Sequence, residues 1–286
     1  MTKAIMTPQP PVTPSSAAPR PTARRVALVA DARTVLEGPG IPVTRVLPSR
    51  DAPYAVVDPW LLLDDGKLEL SGDEDFGAHP HRGFEIVSYV LEGSMFHQDS
   101  EGHAGRVGAG GLHRITAGRG MWHGEGLGEG SDGSGPVRLH VLQLWINLPR
   151  ALKQLPADHQ PVQAEEIPEQ TVGDARVRVL VGEGSPTRLQ VPAIYLDATL
   201  PANGATDLAV PEGFQGFAYV LDGGGTFGAN AREAHARQFV VLGQASAAAG
   251  GQTSFLVRAG AGGLRFVLAA ARPIGETPRW GGPFVD

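Results

Sequence analysis

The chain lacks two features that would place it in large classes of proteins. It contains no cysteine among its 286 residues, which excludes disulfides, thiolate zinc sites, iron–sulfur clusters and cysteine nucleophiles. Any metal ion must therefore be held by nitrogen and oxygen ligands. It also lacks an apolar run near the roughly 20 residues that a membrane-spanning helix needs, so we expect a soluble protein with no membrane partner.

Acidic residues are missing from the first 25 positions, where Lys3, Arg20, Arg24 and Arg25 give a charge of +4. This segment also lacks bulky apolar residues and the apolar stretch of a secretory signal. We therefore expect residues 1–25 to form a flexible tail and the protein to be cytoplasmic, although the basic composition also resembles an organelle-targeting segment. The remaining 20 basic and 30 acidic residues give a charge of −10, which disfavours direct nucleic-acid binding.

Glycine and proline are abundant, at 39 and 24 residues, and both interrupt helices. Between them lie short runs rich in β-branched residues, aromatics and leucine, which are typical of an all-β sandwich or barrel. The stretch from Asn147 to Pro168 breaks this pattern and predicts a connector with a short helical turn near residues 148–153. The strand-like runs are at residues 26–30, 43–47, 59–63, 85–91, 137–146, 177–181, 193–197, 217–221, 239–242 and 264–268.

A short segment in the first half of the chain is similar in sequence to a segment in the second half. Residues 87–93, VSYVLEG, and residues 216–223, GFAYVLDG, each place a tyrosine on a predicted strand that ends in an acidic residue and glycine. Two similar β halves joined by a proline-containing connector indicate a duplication.

The strongest chemical signal is a pair of short motifs. His79 and His81 are two residues apart, which on a strand places both imidazoles on one face. His123 and Glu125 repeat that spacing, so three imidazoles and a carboxylate would converge if the two strands pair. This ligand set suits iron, manganese, nickel, copper or cobalt. A lone His-x-His is more often a pair of exposed polar residues, but the second motif and the flanking glycines favour a metal site.

Residues 79–85, HPHRGFE, resemble the signature of pirins, a family within the cupin superfamily. Five other segments are similar to the family as well: residues 58–64, 89–93, 97–100, 116–120 and 282–285. The resemblance covers most of the chain from about Arg25 and is most specific in residues 79–125.

The resemblance implies an all-β bicupin, with two cupin-type β-barrels and short connecting helical segments. Residues 26–149 would form an N-terminal cupin. It would hold one divalent transition metal, with Fe(II) favoured and Mn, Ni, Co, Cu or Zn as alternatives. Residues 150–286 would form a C-terminal cupin without a metal site and with a structural or lid role, because it has no second His-x-His. The implied metal ligands are His79, His81, His123 and Glu125.

Three positions depart from the usual pirin pattern. Residues 110–111 are Gly-Gly where Gly-Asp is usual, residues 113–115 are His-Arg-Ile in place of Gln-Trp-Met, and Gly124 stands where serine is common. None of these changes removes a predicted ligand. We expect His113 and Gly124 to alter the surroundings of the metal or the cavity wall.

The neighbouring polar residues have two interpretations each. His97 would line the cavity or lie at the barrel rim. Glu85 would orient a ligand or act as a base, but it is more simply a structural hydrogen-bonding group. Arg82 and Arg119 would attract an anionic substrate or form ion pairs. Three further histidines are most simply solvated or structural: His103, His140 and His159.

The resemblance implies two competing functions. One is a metal-dependent dioxygenase that takes a small phenolic substrate and dioxygen and opens the ring of a flavonol such as quercetin, with Glu125 accepting the proton of its hydroxyl. The other is a non-enzymatic regulator that acts on a transcription factor or a metabolic enzyme, and the acidic body fits a protein partner. Storage or isomerisation of small molecules is a third possibility, because a fold alone does not determine function. The dioxygenase is the favoured hypothesis.

Overall fold

The computed structural model describes residues 21–37, 40–71, 75–126, 136–245 and 251–286. Within these ranges the helical elements are α1, Tyr54–Val57, and two 3-10 helices, Arg150–Leu152 and Ala164–Glu166. The first of these 3-10 helices lies where the sequence predicts a helical turn. No helix in the described ranges is long and apolar enough to cross a membrane.

All other regular elements are strands. In chain order they are β1 Thr22–Ala23, β2 Val26–Asp31, β3 Arg33–Glu37, β4 Ile41–Leu47, β5 Trp60–Ser71, β6 Asp75–His81, β7 Phe84–Glu92, β8 Ser94–Asp99, β9 Ala104–Gly108, β10 Leu112–Thr116, β11 Met121–Gly126, β12 Pro136–Asn147, β13 Asp158–Val162, β14 Glu169–Val172, β15 Ala175–Val181, β16 Ala193–Leu200, β17 Ala205–Pro211, β18 Gln215–Phe227, β19 Arg232–His235, β20 Gln238–Leu242, β21 Gln252–Ala271, β22 Trp280–Gly281 and β23 Phe284–Val285.

The first barrel is made of two sheets. The larger has seven strands in the order β13-β10-β7-β12-β5-β4-β3, and the smaller has four in the order β6-β11-β8-β9. The central strand β7 is buried along most of its length, since it is paired on both sides and covered on both faces. Side chains that point from either sheet toward the other therefore meet in the barrel interior.

The second barrel is a single ten-stranded sheet. Its main path is β14-β15-β16-β21-β18-β20-β2, with β1 and β17 paired to β21 and β19 paired to β18. β17 shows the alternation that a strand with one solvated face requires, because Thr206, Leu208 and Val210 are buried between more exposed neighbours. The two barrels confirm the predicted all-β bicupin fold.

The N-terminal segment completes the second barrel and not the first. β1 runs parallel to β21, and β2 is antiparallel to β20. Between them, Arg24 is buried and donates to the Thr253 hydroxyl at 2.6 Å and to three backbone carbonyls. This corrects the expectation that residues 1–25 form a tail throughout, because paired strands and a buried guanidinium tie down its last residues. Residues 1–20 of that prediction lie outside the described residues.

Two further segments cross the predicted boundary between residues 149 and 150. β13 pairs with β10 of the first barrel. The C-terminal hairpin β22–β23 also reaches that barrel, where Val285 is fully buried. Lys153 fixes the hairpin, since its Nζ donates to the carbonyls of Val285 at 2.9 Å and Gly83 at 2.8 Å. Each barrel thus takes strands from both predicted ranges, which differs from a division at a single point because β pairing joins residues distant in sequence.

The two strands that carry the similar sequences, β7 and β18, each form a hydrogen bond across the interface between the barrels. Tyr89 of β7 donates its hydroxyl to Asp197 of the second barrel at 2.8 Å, and Tyr219 of β18 donates to Asp65 of the first barrel at 2.8 Å. All four residues are buried. This symmetry is what a duplicated unit packed against its own copy would produce.

Candidate metal centre

The two predicted motifs lie side by side in the four-stranded sheet. β6 and β11 are antiparallel, with His123 directly opposite His79 and Met121 opposite His81. The two-residue spacing on β6 places its histidines on one face, as predicted. Ring nitrogens of His79, His81 and His123 lie within 4.8 Å of one another. Strand pairing therefore brings the three predicted imidazole ligands together.

Glu125 joins this group through His123. β11 pairs regularly with β8 at His123 and Glu125, whereas its pairing with β6 shifts register there because β6 has an extra residue. A carboxylate oxygen of Glu125 and ring nitrogens of His97 and His123 lie within 4.8 Å of one another. From the opposite sheet, Ser88 Oγ donates to Oε1 at 3.2 Å and Gln143 Nε2 donates to Oε2 at 2.9 Å. His123 is thus common to both groups, since it lies beside the two β6 histidines and beside the Glu125 carboxylate that these two bonds hold in place.

The unbonded atoms of the imidazoles fit a bound metal ion. Neither ring nitrogen of His81 has a hydrogen-bond partner although the side chain is buried, and such orphaned groups are costly unless they are satisfied by another ligand. His79 Nδ1 lies 2.8 Å from the Gly77 carbonyl and must donate to it, which leaves Nε2 with its lone pair. That Nε2 is 3.1 Å from Nε2 of His123. Three lone pairs are therefore available to one ion.

The protonation behaviour of the cluster suits metal binding. Burial, and then the neighbouring His79, lower the pKa of His81 to about 3, with the nearby Pro283 carbonyl opposing this slightly. Burial also holds the pKa of His123 far below its usual range. Burial raises the pKa of Glu125 to about 7, although its bonds from Ser88 and Gln143 oppose the rise. His81 and His123 are thus neutral at physiological pH, and the raised pKa of Glu125 lies near neutrality.

A buried hydrogen-bond chain supports His123 from behind. If Nε2 of His123 faces the ion, its Nδ1 carries the proton and donates to Nδ1 of His97, 3.3 Å away. His97 Nε2 then donates to Asp99 Oδ2 at 3.2 Å, and His103 Nδ1 donates to the same oxygen at 2.9 Å. Burial alone would raise the pKa of Asp99, but the bonds from His103 and His97 lower it. A carboxylate therefore orients the metal-facing histidine through a second imidazole.

His113 and His159 extend this array of imidazoles. His159 stacks on His97 with ring centroids 4.1 Å apart, and its Nε2 is 2.8 Å from Nδ1 of His113. Because Nε2 of His113 donates to the Met95 carbonyl at 3.1 Å, its Nδ1 must accept from His159. Burial lowers the pKa of His113 to about 4 and that of His159 to about 3. His113, which departs from the usual pirin pattern, is therefore separated from the predicted ligands by His97 and His159.

Sequence reasoning missed His159, which it treated as solvated or structural, and left His97 undecided between cavity and rim. His97 is fully buried against His123. A signal for its role was present, because His97 and Asp99 share the two-residue spacing of the ligand motifs. No comparable signal marked His159, which reaches the site through the pairing of β13 with β10.

An open cavity of about 650 Å³ lies next to the cluster of predicted metal ligands. His79, His81 and Glu125 form part of its wall. Trp145 and Trp280 form an aromatic part, with ring centroids 6.3 Å apart, and Trp280 is brought there by the C-terminal hairpin. The cavity therefore combines an apolar, aromatic wall with a cluster of metal-ligand type, as small-molecule sites commonly do.

The remaining candidates contact other residues of the protein. Glu85 is buried and accepts bonds from the Thr116 hydroxyl at 2.8 Å and the Gln190 backbone at 2.8 Å. Arg82 pairs with Asp286 at 3.0 Å in an exposed contact. Arg119 and His140 also have acidic neighbours. Arg119 lies 3.9 Å from Glu101, and His140 lies 2.7 Å from Asp65.

Comparison with known proteins places this architecture in a family. The model of the pirin family matches residues 41–146, and the model of the pirin C-terminal cupin domain matches residues 195–286. A pirin-like protein of Arabidopsis thaliana is 37% identical over 264 residues, covering 89% of this chain and 81% of that protein. Pirin of Rattus norvegicus is 34% identical over 269 residues, covering 92% of this chain and 87% of the rat protein.

Solved structures agree with these sequence matches. A quercetin 2,3-dioxygenase from Acinetobacter baumannii superposes with a TM-score of 0.81 at 26% identity, covering 92% of this chain and 91% of that one. A bacterial pirin from Escherichia coli in complex with nickel(II) has a TM-score of 0.64 at 18% identity, covering 86% of this chain and all of that one, which supports the fold alone. With both family models matched in order and relatives above 30% identity along most of its length, the chain belongs to the pirin family.

Proposed function

We propose that this protein is a metal-dependent dioxygenase that opens the ring of a flavonol such as quercetin. One divalent transition metal would be held by His79, His81, His123 and Glu125, with Fe(II) favoured and Mn, Ni, Co, Cu or Zn as alternatives. The observation that carries the proposal is the cluster of His79, His81 and His123 beside a 650 Å³ cavity, in which the buried His81 has no hydrogen-bond partner on either ring nitrogen. The likeness to a quercetin 2,3-dioxygenase supports the same class of substrate.

The cavity is suited to a planar phenolic molecule. Trp145 and Trp280 offer aromatic faces on which such a ring can pack. Arg45, which pairs with Glu37 and with Asp64, provides a polar region for hydroxyl groups. A ligand bound between these regions would lie next to the metal-ligand cluster and would exclude water from it.

Glu125 is the proposed proton acceptor for the flavonol hydroxyl. A general base works best when its pKa is near the working pH, and burial raises the pKa of Glu125 to about 7. Ser88 and Gln143 hold both carboxylate oxygens and thereby orient the group. A bound redox-active ion would supply Lewis acidity toward the substrate oxygen and a means of activating dioxygen.

The decisive experiment measures oxygen uptake and carbon monoxide release. Protein reconstituted anaerobically with Fe(II), Mn(II), Ni(II), Co(II) or Cu(II) is given quercetin in air. We expect rapid uptake that is abolished by a chelator and by His123→Ala. The matched variant His235→Ala, at an exposed position of the second barrel, should retain the activity.

Oxygen uptake no faster than the free-metal background would contradict the proposal. It would favour the regulatory alternative, in which a cytoplasmic, metal-bound protein acts on a protein partner. Equal activity in wild type and His123→Ala would show that the activity does not depend on this cluster.

A further inference from the structure

A second cavity, of about 430 Å³, lies between the two barrels and away from the metal-ligand cluster. Three arginines and two carboxylates, Glu169 and Asp197, line it, together with small residues of the β9–β10 turn and of the second 3-10 helix. The other lining residues that bear on its chemistry are Gly110, Ala164, Arg176, Arg178, Thr199 and Arg265.

Strand register gathers the arginines on one face of the second barrel. Arg176 and Arg178 are two residues apart on β15, so both point the same way. Arg176 lies opposite Thr199 of β16, and Thr199 lies opposite Arg265 of β21. Three adjacent strands therefore present three guanidinium groups, the hydroxyl of Thr199 and the carboxylate of Asp197, which lies opposite Arg178, to the same space.

The acidic residues near this face do not neutralise all three arginines. Arg265 pairs with Asp197 through two bonds, at 3.1 and 2.7 Å. Arg176 lies 3.8 Å from Glu169, and both side chains are largely exposed, so that pair is weak. No carboxylate lies within ion-pair distance of Arg178 in the described parts of the chain. The cleft is thus locally positive on an acidic protein.

Arg178 is held in place without being saturated. Nη1 donates to the Tyr89 hydroxyl at 2.9 Å, and Nη2 donates to the Ala164 carbonyl at 2.9 Å, which uses two of its five donors. Both acceptors are uncharged. The guanidinium is therefore fixed in orientation by residues of the first barrel and of the connector, while donors remain for a ligand.

Gly110 keeps this guanidinium accessible. A Cβ at that position would lie 2.9 Å from Arg178 Nη1 and 3.1 Å from the Ala164 methyl group. Its φ of +87° is also one that other residues rarely adopt. The glycine and the small Ala164 together leave an open wall in front of the arginines.

We propose that this cleft binds a small oxyanion, a phosphate or carboxylate group of a soluble metabolite. Guanidinium groups recognise both through paired, charge-assisted hydrogen bonds. The volume of the cleft falls in the range of small-molecule sites. Thr199 adds a hydroxyl donor beside the arginines. The site is independent of the proposed dioxygenase activity, because it shares none of the residues of the metal centre.

The test is calorimetric titration of the full-length protein with inorganic phosphate and, separately, with malonate, at constant ionic strength. Arg176→Gln and Arg178→Gln each remove one guanidinium, and Arg258→Gln is the control, since it is exposed on β21 and outside the cleft. We expect one site per chain for at least one anion, weakened about tenfold or more in the two cleft variants and unchanged in the control. The anion that binds identifies the ligand class.

Two results would overturn the proposal. One is the absence of saturable binding of either anion to the wild-type protein. The other is binding that all three variants retain equally, which would reflect general charge. Should Arg178→Gln fail to fold, as judged by circular dichroism, Arg176→Gln still decides the outcome, because its side chain is 66% exposed and makes only a weak contact.

Discussion

Replacing Asp99 with asparagine should weaken metal binding without disturbing the ligands themselves. Asp99 accepts the Nε2 proton of His97, which in turn accepts the Nδ1 proton of His123. An asparagine amide that turns its NH₂ toward His97 would force the opposite tautomer, with the proton on Nδ1. Two N–H groups would then face each other between His97 and His123, and His123 would lose its orientation.

The structure sets the size of this effect. Outer partners of metal-ligating histidines typically contribute about 10- to 100-fold in metal affinity. Here the two bonds are long, at 3.2 and 3.3 Å, and an imidazole intervenes between the carboxylate and the ligand. We therefore expect the lower end of that range, a loss of about tenfold, which is about 1.4 kcal/mol.

The assay is competition against a chromophoric chelator with Zn(II) or Ni(II), which requires no catalytic turnover. His103→Gln separates the two functions of Asp99, because it removes the other imidazole on Oδ2 and leaves the bond to His97. Asp207→Asn is the control for loss of one charge at an exposed position. Both should bind metal like wild type. An Asp99→Asn affinity within twofold of wild type, in a folded protein, would refute the orienting role.

Three further changes test other parts of the structure. Glu125→Gln should flatten the pH dependence of metal affinity, which in wild type should rise with pH through about 7 as the carboxyl loses its proton; chelator competition across that range measures it. Lys153→Met leaves three buried acceptors without their donor, the carbonyls of Gly83 and Val285 and Oδ1 of Asn147. It should lower the free energy of unfolding by about 3 kcal/mol in chemical denaturation, whereas Lys67→Met, at an exposed position, should not. Tyr89→Phe and Tyr219→Phe should each cost about 1–2 kcal/mol in the same assay, and a loss in only one would contradict equivalent interface roles.

The parts of the metal centre that could be predicted from the sequence depend on local geometry. A two-residue spacing on a strand places His79 and His81 on one face whatever the rest of the fold does. The same holds for the pair His123 and Glu125, because β11 pairs without interruption with β8 at these positions. The irregularity lies on β6, where an extra residue before His79 shifts the register, and the Glu125 carboxylate groups with His97 and His123. Such a shift depends on the partner strand, so the two-residue spacing of the motif does not predict it.

The parts that could not be predicted depend on contacts between distant residues. The short run at residues 26–30 is identified from the sequence as a strand but predicted to belong to the N-terminal cupin, whereas β2 pairs with β20 of the second barrel, about 200 residues away. Likewise, the bonds of Lys153 to Gly83 and Val285 join three separate segments. Local sequence patterns predict the strands and which side chains share a face of each strand. Which strands pair with one another is decided only when the sheets form.

Strand register also gives a physical reason for the prediction that the first barrel holds a metal ion and the second does not. Tyr89 lies opposite Leu142 on β12, and Tyr219 lies opposite Val267 on β21, so these pairs are equivalent. One step along, Ser88 faces Gln143 in the first barrel, and the equivalent pair in the second barrel is Ala218 and Leu268.

Ser88 and Gln143 are the two residues that hold the carboxylate of Glu125, whereas Ala218 and Leu268 belong to a buried apolar cluster. A carboxylate at the corresponding place in the second barrel would have no donor and would be strongly disfavoured by burial. That the second barrel holds no metal stays a prediction, but its cause would lie in the facing sheet as much as in the missing histidines. Restoring ligands alone would therefore not restore a site.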